Sequence, residues 1–193
     1  KIMEMGSGPG LLSLHMAQAG AKVVLLDSSK TALDYSLMMY EKIKNERGAG
    51  DWEASFVCHD IFGESFPSDE FDIIHNYGVI EHYNFSKAQE IIGIMKKNVK
   101  AGGYVIVAVP NYFCPNLIFT WAKYRKGTER FYSKDKLKKM MEKSGLRSVK
   151  IETSTFAYPD WIPQFIIQKT QRFENFLGKN LNLGFLYIGV GKV

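Results

Sequence analysis

A run of alternating glycines, Glu4-Met5-Gly6-Ser7-Gly8-Pro9-Gly10, is the part of this sequence whose residue types best suit chemistry. Glycine lacks a Cβ atom, so such a run can turn tightly and bring backbone N–H groups close to a nucleoside or a phosphate. An apolar stretch precedes the run and a helical pattern follows it. This arrangement predicts a nucleotide-binding turn, although the glycines alone are also compatible with a plain strand-to-helix turn.

Two carboxylates follow at positions where a nucleoside needs hydrogen-bond acceptors. Asp27 closes the second predicted strand and suits the two hydroxyls of a ribose. Asp60 follows the third predicted strand, where an adenine amino group would lie. Leu11 stands where the dinucleotide fingerprint has its third small residue, which argues against a nicotinamide cofactor.

Strands and helices must alternate to bring these residues together. The hydrophobic patterns predict strands over 1–5, 22–26, 52–58, 71–75, 104–109, 147–155 and 184–193, and helices over 11–19, 29–47 and 86–97. A further helix begins at the cap Ser133 and stops at Gly145. Such an alternation requires right-handed crossovers and a mostly parallel sheet with helices on both faces. We therefore predict a single doubly wound α/β domain over residues 1–193.

One face of the second predicted helix carries its apolar side chains, namely Leu33, Leu37, Tyr40 and Ile43. The longest apolar stretches of the chain are strand-sized, far below the ~18–20 residues that span a membrane, so no integral membrane segment is expected. Cys58 and Cys114 lack a metal-ligand spacing, and we expect free thiols in a cytoplasmic protein. Because the chain starts inside an apolar run, we also expect a preceding N-terminal segment.

The ordered set of motifs resembles the class I S-adenosylmethionine-dependent methyltransferases, from residue 1 to about residue 110. The motifs are Glu4-x-Gly6-x-Gly8-x-Gly10, Asp27, His59-Asp60, Phe66-Pro67, Phe71-Asp72-Ile73-Ile74, Ile80-Glu81-His82 and Ala101-Gly102-Gly103. The segment from Gly78 to His82 is most similar to the ubiquinone-biosynthesis O-methyltransferases and to the methyltransferase type 11 group. The resemblance implies a Rossmann-like seven-stranded sheet of order 3-2-1-4-5-7-6 with strand 7 antiparallel.

The cofactor implied by the resemblance is S-adenosylmethionine, with S-adenosylhomocysteine as its product. Asp27 would hold the ribose, while Asp60 and the Ile61 amide would bind the adenine. The other implied cofactor residues are Glu4, Gly6, Ser7, Gly8, Gly10, Ser28, Asn76 and Tyr77. Within this set, the ring of Tyr77 would face the sulfonium or pack structurally.

Transfer from an activated sulfonium depends mainly on alignment, but a hydroxyl acceptor must also lose a proton. His82 is the candidate base, and the alternative is that the Glu81-His82 pair only fixes the segment after strand 4. Some quinone methyltransferases carry a glutamate where this chain has Gly78, so no metal ion is expected.

Residues 1–110 would form the cofactor half, and residues 111–180 would form insertions that cover the substrate. Four aromatic side chains are predicted to line an apolar pocket for a hydrophobic or aromatic small molecule, methylated on oxygen: Tyr112, Phe113, Trp161 and Phe165. The alternatives are a homodimer face or contacts with the preceding segment, so the oligomeric state stays open.

The positive charge of the chain, +5 overall, is concentrated in residues 112–150. Such a segment attracts acidic substrates, RNA or anionic membranes, although a solvated helix face is the commoner explanation. Three alternatives to a small-molecule methyltransferase therefore stay open: an RNA methyltransferase that uses this segment, a nicotinamide-dependent oxidoreductase, and a cofactor-binding protein without turnover.

Overall fold

The computed structural model describes residues 1–47, 52–63, 70–114, 129–154 and 184–193. Seven strands are numbered here in chain order: β1 (Ile2–Met5), β2 (Lys22–Asp27), β3 (Glu53–Cys58), β4 (Phe71–Tyr77), β5 (Val99–Pro110), β6 (Arg147–Thr153) and β7 (Leu186–Lys192). The helices are α1 (Leu11–Gln18), α2 (Lys30–Arg47), α3 (Phe85–Asn98) and α4 (Lys134–Lys143), and a 3₁₀ turn spans Ile80–His82.

The strands form one sheet in the order β3-β2-β1-β4-β5-β7-β6. β1 to β5 pair in parallel, whereas β7 runs antiparallel to both β5 and β6. This confirms the predicted doubly wound α/β fold, its strand order and the antiparallel direction of strand 7. From β1 the chain adds strands outward to β3 and then returns to place β4 on the other side of β1, which creates a reversal of strand order between β1 and β4.

Two apolar clusters hold the helices against the sheet. On one face, Met3 and Met5 of β1 belong to a cluster that includes side chains of α3 and α4. On the other face, Leu25 packs with Leu14 of α1 and Leu33 of α2. Strands covered on both faces typically have continuous apolar runs, which is why the central residues of β2, Val23 to Leu26, show no polar alternation.

The predicted inward face of α2 is wrong at one position. Leu33 and Tyr40 are buried, but Leu37 is 44% exposed. Ser36 takes the inward position instead, and its hydroxyl donates a hydrogen bond to the carbonyl oxygen of Gly8 at 2.9 Å. Because α2 approaches the glycine run closely here, a small hydroxyl side chain is accommodated at this contact.

The limits of α4 confirm the predicted cap and stop. The Ser133 hydroxyl accepts a hydrogen bond from the backbone N–H of Lys136 at 3.2 Å, and Gly145 adopts a left-handed conformation just after the helix. None of the helices in the described ranges is long and apolar enough to cross a membrane.

Candidate cofactor and acceptor site

A cleft of about 320 Å³ opens beside the carboxyl ends of the parallel strands. Its lining residues are Gly6, Asp27, Ser28, Asp60, Ile61, Gly78, Val79, His82 and Tyr83. In doubly wound sheets, ligands bind where strand order reverses, and here β1 and β4 supply that reversal. The volume lies at the lower end of the ~300–1,000 Å³ typical of small-molecule sites.

The glycine run turns sharply at the end of β1. Gly6, Gly8 and Gly10 have φ values of 70°, 48° and 62°, which few other residues adopt. A Cβ on Gly6 would stand 2.7 Å from Cγ2 of Val79, and one on Gly10 would stand 1.8 Å from Cδ2 of Leu25. Glycine is therefore required at Gly6 and Gly10 by both conformation and space.

Asp27 is held in one orientation by two backbone donors. Its Oδ2 accepts from the N–H of Gly8 and its Oδ1 from the N–H of Ser29, both at 2.8 Å. Each carboxylate oxygen has a further lone pair, so the group can still accept hydrogen bonds from two hydroxyls in the cleft. The glycine run and the start of α2 thus fix the carboxylate where a ribose would need it.

Asp60 and Ile61 lie along another part of the cleft wall, after β3. Oδ1 of Asp60 accepts from the N–H of Phe62 at 3.0 Å. The ring of Phe62 packs edge-on against Tyr83, with 5.5 Å between ring centroids. This contact joins the segment after β3 to the segment after the 3₁₀ turn, so the two walls support each other.

Glu4 is a buried acid at the base of the glycine run, with 4% of its surface exposed. Burial raises the pKa of its carboxyl to about 7, against the opposing effect of hydrogen bonds to Ser13. Ser13 also lies 3.1 Å from Nε2 of His75, whose pKa burial lowers to about 4. Among the described residues, Glu4 Oε2 has no hydrogen-bond partner.

The cofactor fits this arrangement on three counts. S-adenosylmethionine carries ribose hydroxyls, an adenine and an ammonium group. The oriented Asp27 provides acceptors for the hydroxyls, and Asp60 provides an acceptor on another part of the wall. Glu4 Oε2 and Ser7 Oγ are buried and without partners among the described residues, so two unused acceptors flank the cleft-lining Gly6 in the chain and suit a donor such as the ammonium.

Six of the predicted cofactor residues lie outside the cleft lining: Glu4, Ser7, Gly8, Gly10, Asn76 and Tyr77. Asn76 is fully buried and points toward α3, with its Nδ2 3.3 Å from the sulfur of Met95. Tyr77 is 38% exposed, and burial together with the charge of Glu4 raises its pKa. Their predicted contacts with the cofactor stay predictions.

Three residues of the lining were missed by sequence reasoning: Gly78, Val79 and Tyr83. Gly78 has a φ of 68° directly after β4, so the chain turns there toward the glycine run. The sequence signal for this wall is Gly78 itself, a second glycine directly after a strand. The hydrophobic periodicity that predicted β4 does not extend to it.

A second group of side chains gathers after β5 and before α4. The Tyr112 hydroxyl donates to Oε2 of Glu129 at 2.6 Å, and the Tyr112 ring packs edge-on against Phe131 with 4.1 Å between centroids. Phe113 is 66% exposed. Trp161 and Phe165, like the Phe66-Pro67 motif, lie outside the described residues.

With this geometry established, the sequence pattern of the methyltransferase domain family matches residues 1–151. The chain belongs to this family. The interpretation of the motifs as those of the S-adenosylmethionine-dependent class is thereby confirmed, and with it the cofactor. The described ranges contain no group of three or more His, Cys, Asp or Glu side chains arranged to hold a metal ion.

Two curated relatives are ubiquinone biosynthesis O-methyltransferases. That of Ruegeria sp. is 25% identical over 161 residues, which cover 77% of this chain and 61% of the relative. That of Brucella anthropi is 26% identical over 159 residues, covering 77% and 60%. The chain therefore spans about three-fifths of the length of these relatives.

Solved structures of the class share the fold. A SAM-dependent methyltransferase from Archaeoglobus fulgidus superposes with a TM-score of 0.66 at 16% identity, covering 100% of this chain and 85% of that one. Magnesium protoporphyrin IX methyltransferase from Synechocystis, solved with bound SAH, superposes with a TM-score of 0.67 at 15% identity, covering 99% and 73%. At these identities the likeness concerns the fold alone.

The buried carboxyl of Glu4 leads to a stability prediction for Glu4→Gln. A folded-state pKa raised from 4.5 to about 7 means that the contribution of Glu4 to stability is complete below pH 4.5 and is lost as the pH rises through about 7. Glutamine cannot ionise. As the pH rises over this range, the free energy of unfolding of the ligand-free variant therefore increases relative to that of the wild type, by at most about 3 kcal/mol. Urea unfolding at pH 5 and pH 8 measures the difference.

Glu53→Gln, at an exposed position on β3, is the matched control. Its difference in free energy of unfolding from the wild type should be the same at pH 5 and at pH 8. The same Glu4→Gln protein should bind S-adenosylhomocysteine more weakly, because an amide cannot form a charged pair with an ammonium. A free-energy difference between Glu4→Gln and wild type that is equal at pH 5 and pH 8 would contradict the prediction.

Proposed function

We propose that this protein transfers the methyl group of S-adenosylmethionine to an oxygen atom of a hydrophobic or aromatic small molecule. The observation that carries the proposal is the Asp27 carboxylate, oriented by Gly8 and Ser29 within the same cleft as Asp60 and Ile61. The names of the two curated relatives support an oxygen acceptor. A phenolic hydroxyl on a ring with an apolar substituent is the acceptor class that we favour.

When bound, the cofactor would supply a methyl group activated by a positively charged sulfur: the acceptor lone pair would form a bond to the methyl carbon as the carbon–sulfur bond breaks, and S-adenosylhomocysteine would leave as a neutral thioether. The chain's own residues bind the cofactor and orient it toward the acceptor. Asp27 would accept from the ribose hydroxyls, Asp60 and the Ile61 N–H would contact the adenine, and Glu4 would accept from the ammonium. With these contacts made, the reacting partners are held in one geometry, which replaces much of the entropic barrier of a bimolecular reaction.

The acceptor is proposed to bind where Tyr112 and Phe131 pack together, with Phe113, Trp161 and Phe165 completing an apolar lining. Residues 1–110 then serve the cofactor and residues 111–180 the acceptor. Aromatic side chains offer a large apolar area with defined geometry, which suits a ring-containing substrate.

The unpaired thiols of Cys58 and Cys114 support our proposal of a cytoplasmic location.

The contacts of the α4 lysines favour a small molecule, rather than RNA, as the methyl acceptor. Nζ of Lys136 lies 3.7 Å from the ring centroid of Phe85, and Nζ of Lys134 lies 5.6 Å from that of Tyr187. Lys138 pairs with Glu142 at 3.8 Å. Lysines that already contact the protein's own aromatic and acidic groups are typical of a solvated helix face.

Calorimetry with S-adenosylmethionine, S-adenosylhomocysteine and NAD tests the cofactor, and radiolabelled methyl transfer to a panel of substituted catechols and phenols tests the acceptor. We expect binding of the first two ligands only, and labelled product from at least one apolar catechol. Absence of binding at millimolar concentration would overturn the proposal. Steep salt dependence with labelled RNA would favour an RNA methyltransferase, and cofactor binding without any labelled product would favour a binding protein.

A further inference from the structure

Glu81, in the 3₁₀ turn after β4, is a buried acid that the binding of the cofactor does not use. Only 2% of its surface is exposed, and its Oε2 has no hydrogen-bond partner among the described residues. Buried carboxyl groups in folded proteins are normally hydrogen-bonded, because leaving one without a partner costs free energy. An unpaired oxygen at the edge of a ligand site therefore points to a group that has its partner only when a ligand is bound.

The position of Glu81 relative to the cleft distinguishes it from its neighbour His82. His82 is exposed and lines the cleft together with Asp60 and Ile61, which places it on the nucleoside side. Glu81 does not line that cleft. Its Oε1 lies 3.4 Å from the point where a Cβ on Gly78 would stand, and Gly78 is part of the cleft wall. The absence of a side chain at Gly78 thus leaves the carboxyl directly behind the wall.

The chain segment just before α4 holds the turn through two hydrogen bonds. The N–H of Arg130 donates to the carbonyl oxygen of Glu81 at 2.8 Å, and the Tyr132 hydroxyl donates to that of Ile80 at 3.5 Å. Both donors lie within the proposed acceptor-covering segment, residues 111–180, directly before α4. Glu81 is therefore tied to the same region as the packed rings of Tyr112 and Phe131.

The titratable groups around Glu81 are mostly acids and phenols. Burial raises the pKa of Glu81 to about 7, against the opposing effect of a hydrogen bond from its own backbone, and the charge of Glu129 adds to the rise. Burial also raises the pKa of Tyr112 and of Tyr132, and the charge of Glu81 adds to both, whereas the charge of Arg130 lowers the pKa of Tyr132. This side of the turn therefore disfavours negative charge, and a proton accepted by Glu81 leaves its carboxyl in the neutral form that these surroundings favour.

We propose that Glu81, and not His82, accepts the proton of the acceptor's hydroxyl group. The inference rests on the proposed function, since it assigns a residue to the acceptor of that reaction. The step moves only a proton: the acceptor's O–H bond breaks and leaves its electron pair on oxygen, while a new O–H bond forms at Oε2 of Glu81. The acceptor oxygen thereby becomes the stronger nucleophile, and the neutral Glu81 carboxyl is compatible with its buried surroundings.

This role requires an ionised Glu81, which determines the sign of the pH dependence. A general base acts in its deprotonated form, so kcat rises with pH through about 7 and then levels off. A carboxyl with a pKa near the operating pH is matched to proton transfer in both directions. A carboxylate with the ordinary pKa of glutamate would give a profile already level at pH 6.

The test compares Glu81→Gln, Glu81→Asp and His82→Gln with Glu142→Gln, a matched control at an exposed position on α4. The probe is 4-methylcatechol, whose hydroxyl groups keep their protons below about pH 9, with S-adenosylmethionine, followed from pH 5.5 to pH 9. General acid–base catalysis contributes about 100-fold or more, so Glu81→Gln should lose kcat by about that factor and lose the ionisation near pH 7. Glu81→Asp recovers part of the loss, His82→Gln keeps the ionisation, and Glu142→Gln matches wild type.

A second readout does not depend on turnover. Infrared difference spectra of wild type against Glu81→Gln should contain a carboxyl C=O band that disappears as the pH rises through about 7. Calorimetry with S-adenosylhomocysteine reports whether each variant is folded and binds the cofactor. Retained affinity in Glu81→Gln shows that its loss of kcat is not a failure to fold.

The possible failures are distinguishable. Full kcat and an unchanged pH profile in Glu81→Gln would overturn the role of Glu81 while the methyltransferase proposal stands. Loss of the ionisation in His82→Gln instead would assign the proton to His82. A wild type that binds S-adenosylhomocysteine but methylates neither 4-methylcatechol nor any other phenol would overturn the oxygen-acceptor proposal, and the role of Glu81 with it.

Discussion

Replacement of Asp27 by asparagine is expected to weaken the binding of S-adenosylhomocysteine by about 100-fold, because two hydrogen bonds to a charged group are lost or weakened. In the wild type, both carboxylate oxygens accept from backbone N–H groups at 2.8 Å, one from Gly8 and one from Ser29. An asparagine amide must point its NH₂ at one of these donors. The side chain is then displaced from the orientation in which it can also accept from two ribose hydroxyls.

Calorimetric titration with S-adenosylhomocysteine measures the effect of Asp27→Asn. Asp34→Asn is the matched control, since Asp34 is exposed on α2 and pairs only with Lys30, at 3.1 Å, among the contacts in the described ranges. The control should bind as wild type does. An affinity for Asp27→Asn within about threefold of wild type would mean that Asp27 does not contact the ribose.

The second large effect is expected from Gly10→Ala, as a loss of folding stability of about 3 kcal/mol or more. Gly10 has a φ of 62°, and the new Cβ would stand 1.8 Å from Cδ2 of Leu25. Leu25 is fully buried in the cluster under α1 and α2, so it can move away only by repacking that cluster. Strain in the backbone and overpacking in the core therefore add together.

Gly8→Ala separates these two contributions. Gly8 has a φ of 48°, but a Cβ there would meet no atom within 4 Å, so only the backbone strain of about 1–2 kcal/mol is expected. The free energies of unfolding in urea, measured without ligand, give both values. Equal destabilisation by the two substitutions would show that the contact with Leu25 is relieved without cost.

Much of the fold and of the cofactor site followed from local pattern. Carboxylates at the ends of β2 and β3 and glycines at the end of β1 could be assigned to one edge, because the carboxyl ends of parallel strands must share an edge of the sheet. The helix cap at Ser133 was likewise predictable from the sequence, because a cap depends on hydrogen bonds between residues near in sequence. Element limits differed by two residues in β4, which continues to Tyr77, and by five in β5, which begins at Val99 rather than at Tyr104.

The surroundings of a side chain could not be predicted from local sequence pattern where they depend on residues distant in the chain. Leu37 looks like a core residue of α2, but the inward position belongs to Ser36 because the glycine run passes close to the helix. Asn76 follows the apolar part of β4, yet its side chain contacts Met95 of α3. Such contacts arise between layers, and periodicity describes only one element at a time.

The sequence by itself determined the class of fold, the order of the strands through its resemblance to a family, and the edge at which the cofactor must bind. These features depend on backbone geometry and on residues at strand ends. Only the tertiary structure decided that the turn after β4 places His82 in the cleft and Glu81 behind its wall. Two adjacent residues in a tight turn point in different directions, and the packing of Gly78 and of residues 129–132 determines which surroundings each one has.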